Sequence, residues 1–294
     1  MTHRSGFVNI IGNPNVGKST LMNALVGERM SIITSKPQTT RHRIIGILSA
    51  DNFQIVFSDT PGFIKDPSYK MQRNMNKFVA ETFEDADVML FVTDIYEPLP
   101  DQHPLTTLLT QLQVPIILVV NKIDITPAEK ISELIQIWQQ NVSFTYVAPI
   151  SALHKTNTDQ LLEHIQALLP EGPAYYPKDQ LTDRPERFFV SEIIREKILL
   201  LYKQEIPYSC EVVVESFKTD ETKDLIRIAA TIYVARNTHK PIIIGHKGEA
   251  IKQLGIEARK DIETFVEKQV YLELHVKVRE NWRDNDLLLK NFGY

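Results

Sequence analysis

The sequence predicts an α/β chain in two parts: a mostly parallel sheet with helices on its faces, then a smaller α+β domain. Three observations carry this expectation. Apolar, β-branched Phe7-Val8-Asn9-Ile10-Ile11 runs into Gly12-Asn13-Pro14-Asn15-Val16-Gly17-Lys18-Ser19 and on into Thr20-Leu21-Met22-Asn23-Ala24-Leu25. That order reads as strand, tight loop and helix, with Leu21, Ala24 and Leu25 at helical spacing. Leu90-Phe91-Val92 and Ile116 to Val120 are short and wholly apolar, as parallel strands covered on both faces are. Finally, the stretch from Leu168 to Pro177 carries three prolines and a glycine, the composition of a boundary between domains.

The first element is a phosphate site in waiting. Gly12 and Gly17 let backbone N–H groups of the loop converge on phosphate oxygens, with Gly12 to Thr20 the expected nucleotide-binding stretch, aided by the positive end of the following helix. Lys18 adds a mobile charge for the β and γ phosphates, and Ser19 offers a hydroxyl to Mg²⁺. The polar stretch from Met30 to Arg43, with Pro37 and several hydroxyl residues, then leads into two strand-like runs, Ile44 to Ser49 and Phe53 to Ser58, joined by a turn at residues 50–52. Directly after them stands Asp59-Thr60-Pro61-Gly62. A carboxylate at a strand end beside a phosphate loop can hold Mg²⁺, and the Gly62 N–H can face a γ phosphate.

The apolar run Ile116 to Val120 ends in Asn121-Lys122-Ile123-Asp124. The Asp124 carboxylate matches the two donors on the N1 and N2 edge of guanine, which adenine lacks. Asn121 would brace the loop and contact the base, and the Lys122 stem would cover its face. One helix and one strand later, Phe144 to Val147 leads to Ser151-Ala152-Leu153, where the Ala152 N–H is expected to donate to guanine O6.

Composition excludes several classes. The 294 residues suit about two domains, with 43% hydrophobic and 24% charged residues. A net charge of −4 argues against a wholly basic nucleic-acid binder. Cys210 is the single cysteine, so an intrachain disulfide and a cysteine zinc site are impossible. The eight histidines show no metal-ligand spacing. No apolar run approaches the roughly 20 residues of a spanning helix, and Met1 to Gly6 carries no signal-peptide pattern. A cytoplasmic protein is expected.

Residues 1–170 form the first expected domain, 171–185 the linker and 186–294 the second domain. In the last, Phe188 to Tyr202 is apolar at helical spacing, and two strand-like runs follow, Cys210 to Phe217 and Leu225 to Ala235. Lys240-Pro241-Ile242-Ile243-Ile244 precedes Gly245-His246-Lys247-Gly248, then a long helix to about Lys268 and a strand from Val270 to Val278. Two glycines ahead of a helix allow a nucleic-acid backbone close to the main chain. Residues 236–260 hold six Lys/Arg, among them Arg236, Lys240, Lys247 and Lys252, against two acids. The segment after residue 170 has 20 basic and 21 acidic residues overall, so positive charge is concentrated at this loop. RNA contacts are expected from Arg236, Lys240, Gly245, His246, Lys247, Gly248 and Lys252, with Ile243 and Ile244 touching bases.

From about residue 6 to 168 these motifs resemble the translation-factor-like GTPases, which implies a Ras-like fold. The resemblance also makes the polar connection switch I, with Thr40 the Mg²⁺ ligand and γ-phosphate sensor and Thr39 the competing choice. The catalytic set would then be Lys18, Thr40, Asp59 and Gly62, with Mg²⁺ on Ser19, Thr40 and Asp59. Ras-type proteins carry a glutamine after Asp-x-x-Gly to orient water, and here Phe63 stands there; slow hydrolysis by the isolated chain is expected. The second domain resembles a KH domain of the second topological type. The whole arrangement, with Gln38-Thr39-Thr40-Arg41-His42, Arg184-Pro185-Glu186 and Asn281-Trp282-Arg283, is similar to the Era family. That resemblance implies a monomeric GTP-dependent switch in maturation of the 30S subunit, binding the three-prime end of 16S RNA, with peripheral membrane association in some members. An RNA chaperone using guanine nucleotide as a structural ligand, or a GTPase acting on another RNA, are the alternative readings.

Overall fold

A computed structural model describes residues 3–97, 100 and 103–294, so Met1 and Thr2 of the N-terminal run lie outside it. Contacts divide the chain into two units, one comprising Met1–Pro67 and Gln72–Asp183, the other Ser68–Met71 and Arg184–Tyr294.

In the first unit the chain runs β1 (Arg4–Ile11), α1 (Lys18–Val26), β2 (Ile44–Ser49), β3 (Phe53–Asp59), α2 (Lys70–Glu84), β4 (Val88–Thr93), α3 (Thr106–Gln111), β5 (Ile116–Val120), α4 (Ala128–Asn141), β6 (Tyr146–Pro149) and α5 (Thr158–Leu168). The strands form one sheet in the order β2-β3-β1-β4-β5-β6. Only β2 is antiparallel to its neighbour. Every residue of β4 and β5 is buried, which is why both runs lack polar alternation. One layer of core gathers Phe91, Leu118 and Trp138 under α3 and α4. The parallel strands β1, β3, β4, β5 and β6 end on the same side, and the loops beyond those ends carry the predicted nucleotide motifs.

The expected linker is not a free tether. Gln54, fully buried in β3, accepts from the backbone N–H groups of Tyr175 and Tyr176 and donates to the Tyr176 carbonyl. The Ile47 N–H donates to Leu181 O and Thr182 Oγ1 to Ile45 O. Segment 175–182 therefore satisfies backbone groups on the outer edge of β2, and the first unit extends to Asp183.

The second unit follows the order α6 (Glu186–Leu201), β7 (Cys210–Asp220), β8 (Leu225–Val234), α7 (His239–Ile244), α8 (Glu249–Val266), β9 (Gln269–Val278) and α9 (Asp286–Asn291). Its sheet is β7-β8-β9, with β7 and β8 antiparallel and β8 and β9 parallel. Ile194 and Ile198 of α6, Leu254, Ala258 and Ile262 of α8 and the inward residues of the strands make one core. The i, i+4 spacing of the α8 residues puts all three on one face.

Candidate nucleotide and nucleic-acid sites

The phosphate loop takes a shape that only glycine tolerates at two points. Gly17 has φ +99°, and a Cβ there would lie 2.2 Å from Asn121 Nδ2; at Gly12, φ is +149° and a Cβ would lie 2.3 Å from Val92 O. Gly17 caps α1, and the Lys18 ammonium folds back to donate to Gly12 O at 2.9 Å and Asn13 O at 2.7 Å. Burial lowers the Lys18 pKa to about 8, against the pull of the Asp59 and Glu97 carboxylates. Gly62 abuts the loop so closely that a Cβ would come within 2.6 Å of Pro14, and Thr60 Oγ1 anchors the same turn by donating to Ile10 O at 2.9 Å.

Three oxygens converge beside Lys18. Ser19 Oγ donates to Asp59 Oδ2 at 2.6 Å and lies 2.9 Å from Thr40 Oγ1, which is 3.4 Å from the same carboxylate oxygen. Asp59 is fully buried, burial raises its pKa above the ordinary carboxylate range, and its Oδ1 has no hydrogen-bond partner among the described residues. An orphaned anionic oxygen next to two hydroxyls fits a hard cation that keeps several waters, which is the habit of Mg²⁺. The geometry also decides between the two threonines. Thr39 Oγ1 is engaged with Thr34 Oγ1 at 2.6 Å and Lys36 O at 2.7 Å, so Thr40 is the inward one.

Lys18, Ser19, Thr39, Thr40 and Gly62 line one cleft of about 460 Å³, which continues to Asn121, Lys122, Asp124 and Leu153. Asn121 is a brace: Nδ2 donates to Val16 O at 2.8 Å and Oδ1 accepts from the Ala152 N–H at 3.0 Å. The Ala152 N–H, expected to donate to guanine O6, is thus tied to the same asparagine that braces the phosphate loop. The Lys122 ammonium reaches Asn15 O at 2.8 Å and Asp94 Oδ2 at 2.6 Å, and the residue lines the cleft. A hydrogen bond from Ser151 holds the Asp124 carboxyl below its usual pKa. Asp94 was not singled out from the sequence; its only signal is a carboxylate at a strand end, which has no meaning until Lys122 is placed opposite.

The Phe63 ring is partly buried and packs against the apolar cluster to which Phe91, Leu105 and Leu109 belong.

In the second unit, Gly245 (φ +73°) and Gly248 (φ +82°) bracket an exposed His246-Lys247 pair between α7 and α8. A Cβ at Gly245 would meet Ala250 Cβ at 2.5 Å, whereas Gly248 has open space. Arg236, Lys240, Lys247 and Lys252 are all exposed and make no ion pair among the described residues. Ile243 corrects the sequence reading: it is 0% exposed, part of the core, and its carbonyl accepts from Tyr202 Oη at 2.8 Å. Neighbouring helical residues point about 100° apart, so Ile242, 49% exposed, takes the outward position, and Ile244 is intermediate.

Comparison with known proteins agrees with this geometry. A family model described as "50S ribosome-binding GTPase" matches residues 7–122, and one described as "KH domain" matches 205–283. A GTPase Era of Syntrophus aciditrophicus (strain SB) is 47% identical over 292 residues, covering 99% of this chain and 95% of the relative. The chain belongs to the Era family of GTPases. A chloroplastic GTPase ERA-like protein of Oryza sativa subsp. japonica is 46% identical, with 99% of this chain and 70% of the relative covered. Two solved structures superpose with a TM-score of 0.93 at 39% identity, covering 99% of both chains. One is an Aquifex aeolicus Era variant bound to GDP and AlF4−, and the other is Era in complex with MgGDPNP and nucleotides 1506–1542 of 16S ribosomal RNA. The Era match settles the fold as a Ras-like GTPase domain followed by a KH domain, and makes the chain a GTP-hydrolysing enzyme.

Proposed function

We propose that this chain is a GTP-hydrolysing switch that binds the three-prime region of 16S RNA through its KH domain and acts, as a cytoplasmic monomer, in maturation of the 30S subunit. The observation that carries the reading is the convergence of Ser19, Thr40 and the orphaned Asp59 Oδ1 beside Lys18. A structural nucleotide would need no sensor hydroxyl from switch I. The Era complex holding both a magnesium nucleotide analogue and a 16S fragment supports the pairing of the two activities. The family resemblance extends the reading to a loose hold on the inner face of the cell membrane, which fractionation of cells would test.

Each group has a distinct task. Lys18 sets a positive charge against the β and γ phosphates, and the glycine-shaped loop aims N–H groups at the same oxygens. Ser19, Thr40 and Asp59 would hold Mg²⁺, which would supply further neutralisation of phosphate charge. Asp124 selects guanine, while Asn121 and Lys122 shape the floor and wall around it. With Phe63 turned into the apolar cluster, no side chain in the glutamine position orients water.

The deciding experiment measures RNA affinity for a fragment matching nucleotides 1506–1542 with a GTP analogue and with GDP, and GTP turnover with and without the fragment. Tighter binding in the triphosphate state, with turnover changed by RNA, is expected, because only differential affinity shifts a conformational equilibrium. Equal affinity in both states with no effect on turnover would leave the chaperone reading.

A further inference from the structure

The loop after β4 touches residues of the nucleotide motifs at two places, Lys122 and Asn13, and the motifs themselves account for neither contact. Asp94 shapes its first turn by accepting from the Tyr96 N–H at 2.8 Å and pairs with Lys122 on the base side. Glu97 reaches the other side. Its Oε2 accepts from Asn13 Nδ2 of the phosphate loop at 2.5 Å and lies 3.1 Å from His103 Nε2. The Glu97 side chain is 10% exposed and that of His103 is 0% exposed, so neither is a solvated surface charge.

The surroundings fix the imidazole. His103 Nδ1 accepts from the Leu105 N–H at 3.2 Å, and its Nε2 faces both Glu97 Oε2 at 3.1 Å and Asn13 Nδ2 at 3.0 Å. The ring is wedged edge-on against Phe91 and Trp138, each centroid 5.2 Å away. Such packing holds the ring, and the ring and the carboxylate together hold the Asn13 amide.

Asn13 matters because of its own backbone. Its carbonyl accepts from the Lys18 ammonium at 2.7 Å, and the next residue, Pro14, is the one against which Gly62 is pressed. Displacing Asn13 would move both the lysine and the γ-phosphate wall. We propose that Glu97 and His103 are positioning residues for GTP hydrolysis, acting on the phosphate loop through Asn13. The proposal rests on the GTPase reading above. GDP should feel it least, since loop N–H groups cradle the α and β phosphates while Lys18 reaches on to the γ.

The test is steady-state GTP turnover and GDP affinity of the full chain for Glu97→Ala, Asn13→Ala, their double variant, His103→Ala and His103→Gln. Glutamine places an amide donor near the position of Nε2. The two single variants at 97 and 13 should lower kcat about tenfold, less than the roughly hundredfold that a full 1 Å misplacement costs, with GDP affinity within about twofold. The double variant should be no slower than the slower single one, because both remove the Glu97–Asn13 contact on which the loop's position depends. His103→Ala should fall with them and His103→Gln should be rescued. An unchanged kcat in Glu97→Ala, losses that multiply in the double variant, or GDP affinity falling in step with kcat would each overturn the proposal. A wild-type chain without GTP turnover would instead overturn the function on which it rests.

Discussion

Replacing Asn121 by alanine separates two roles that a sequence motif merges. If the side chain only contacts a base, the nucleotide-free protein should not notice its loss. The structure assigns it more: two buried hydrogen bonds, to Val16 O at 2.8 Å and from the Ala152 N–H at 3.0 Å. Alanine would strand both backbone partners, at about 1–3 kcal/mol for each buried unsatisfied group. Water can enter a cleft edge, so the low end applies, about 2 kcal/mol in all. For a domain of this size that lowers the midpoint of thermal unfolding by about 4–8 °C. If the braced loop is also the one that binds, GDP affinity should drop about thirtyfold for the same free energy. Differential scanning fluorimetry of nucleotide-free protein, followed by GDP titration, reads both. Asn121→Asp keeps the acceptor for Ala152 but sets a carboxylate against Val16 O, so it should be no better than alanine. An unfolding midpoint within 1 °C of wild type in Asn121→Ala would refute the brace, even with nucleotide affinity lost.

Three further outcomes follow from the same geometry. Thr40→Ala should weaken GTP affinity about tenfold when Mg²⁺ is present and little in chelator, while Thr39→Ala should not show that metal dependence, since only Thr40 faces Ser19 and Asp59; isothermal titration with and without Mg²⁺ distinguishes them. Because Ser151 holds Asp124 below the usual carboxyl range, its charge is present above that depressed pKa and lost only as pH falls through it. The preference for GTP over inosine triphosphate, which lacks the N2 donor, should therefore stay flat from pH 7 down to about 4, and a decline already under way near pH 6 would contradict the assignment. Ile243→Ala should destabilise the KH unit by about 2–5 kcal/mol in denaturant unfolding. Ile242→Ala should instead stay within about 0.5 kcal/mol and weaken RNA binding, the reverse of what the apolar run alone suggests.

Much of the fold is written in local pattern. The β4 and β5 runs are apolar because both faces are covered, and Gly17 is fixed by a positive φ and by the Asn121 amide at its back, so spacing alone locates them. What stayed hidden depends on neighbours remote in sequence. Nothing local says that Thr40 rather than Thr39 turns inward, because adjacent threonines in an irregular loop have no period. Ile242, Ile243 and Ile244 look alike until α7 is packed on its sheet. Gln54 reads as an ordinary strand residue, yet its amide organises Tyr175 and Tyr176 more than 100 positions later. Asp94 and Glu97 belong to the same class, being polar groups whose partners, Lys122 and Asn13, come from other loops.

Phe63 ties these strands of reasoning to the rate of hydrolysis. In the glutamine-bearing GTPases the residue after Asp-x-x-Gly is polar, and leaving the cleft wall costs it little. Here the ring gains from its partial burial against the apolar cluster of the first unit, and full burial of a phenylalanine is worth about 1.5–3 kcal/mol. A partner that reorders the segment after Gly62 must therefore work against that packing, or leave the ring where it is and act on the backbone alone. The second course is the cheaper one, since Gly62 already lies against Pro14 and needs no side chain to aim its N–H. On that account catalysis is assigned to groups held in place by their supports, Lys18 through Asn13 and Thr40 through Asp59, and the slow basal rate expected from Phe63 would reflect a missing water-positioning group rather than an incomplete phosphate site.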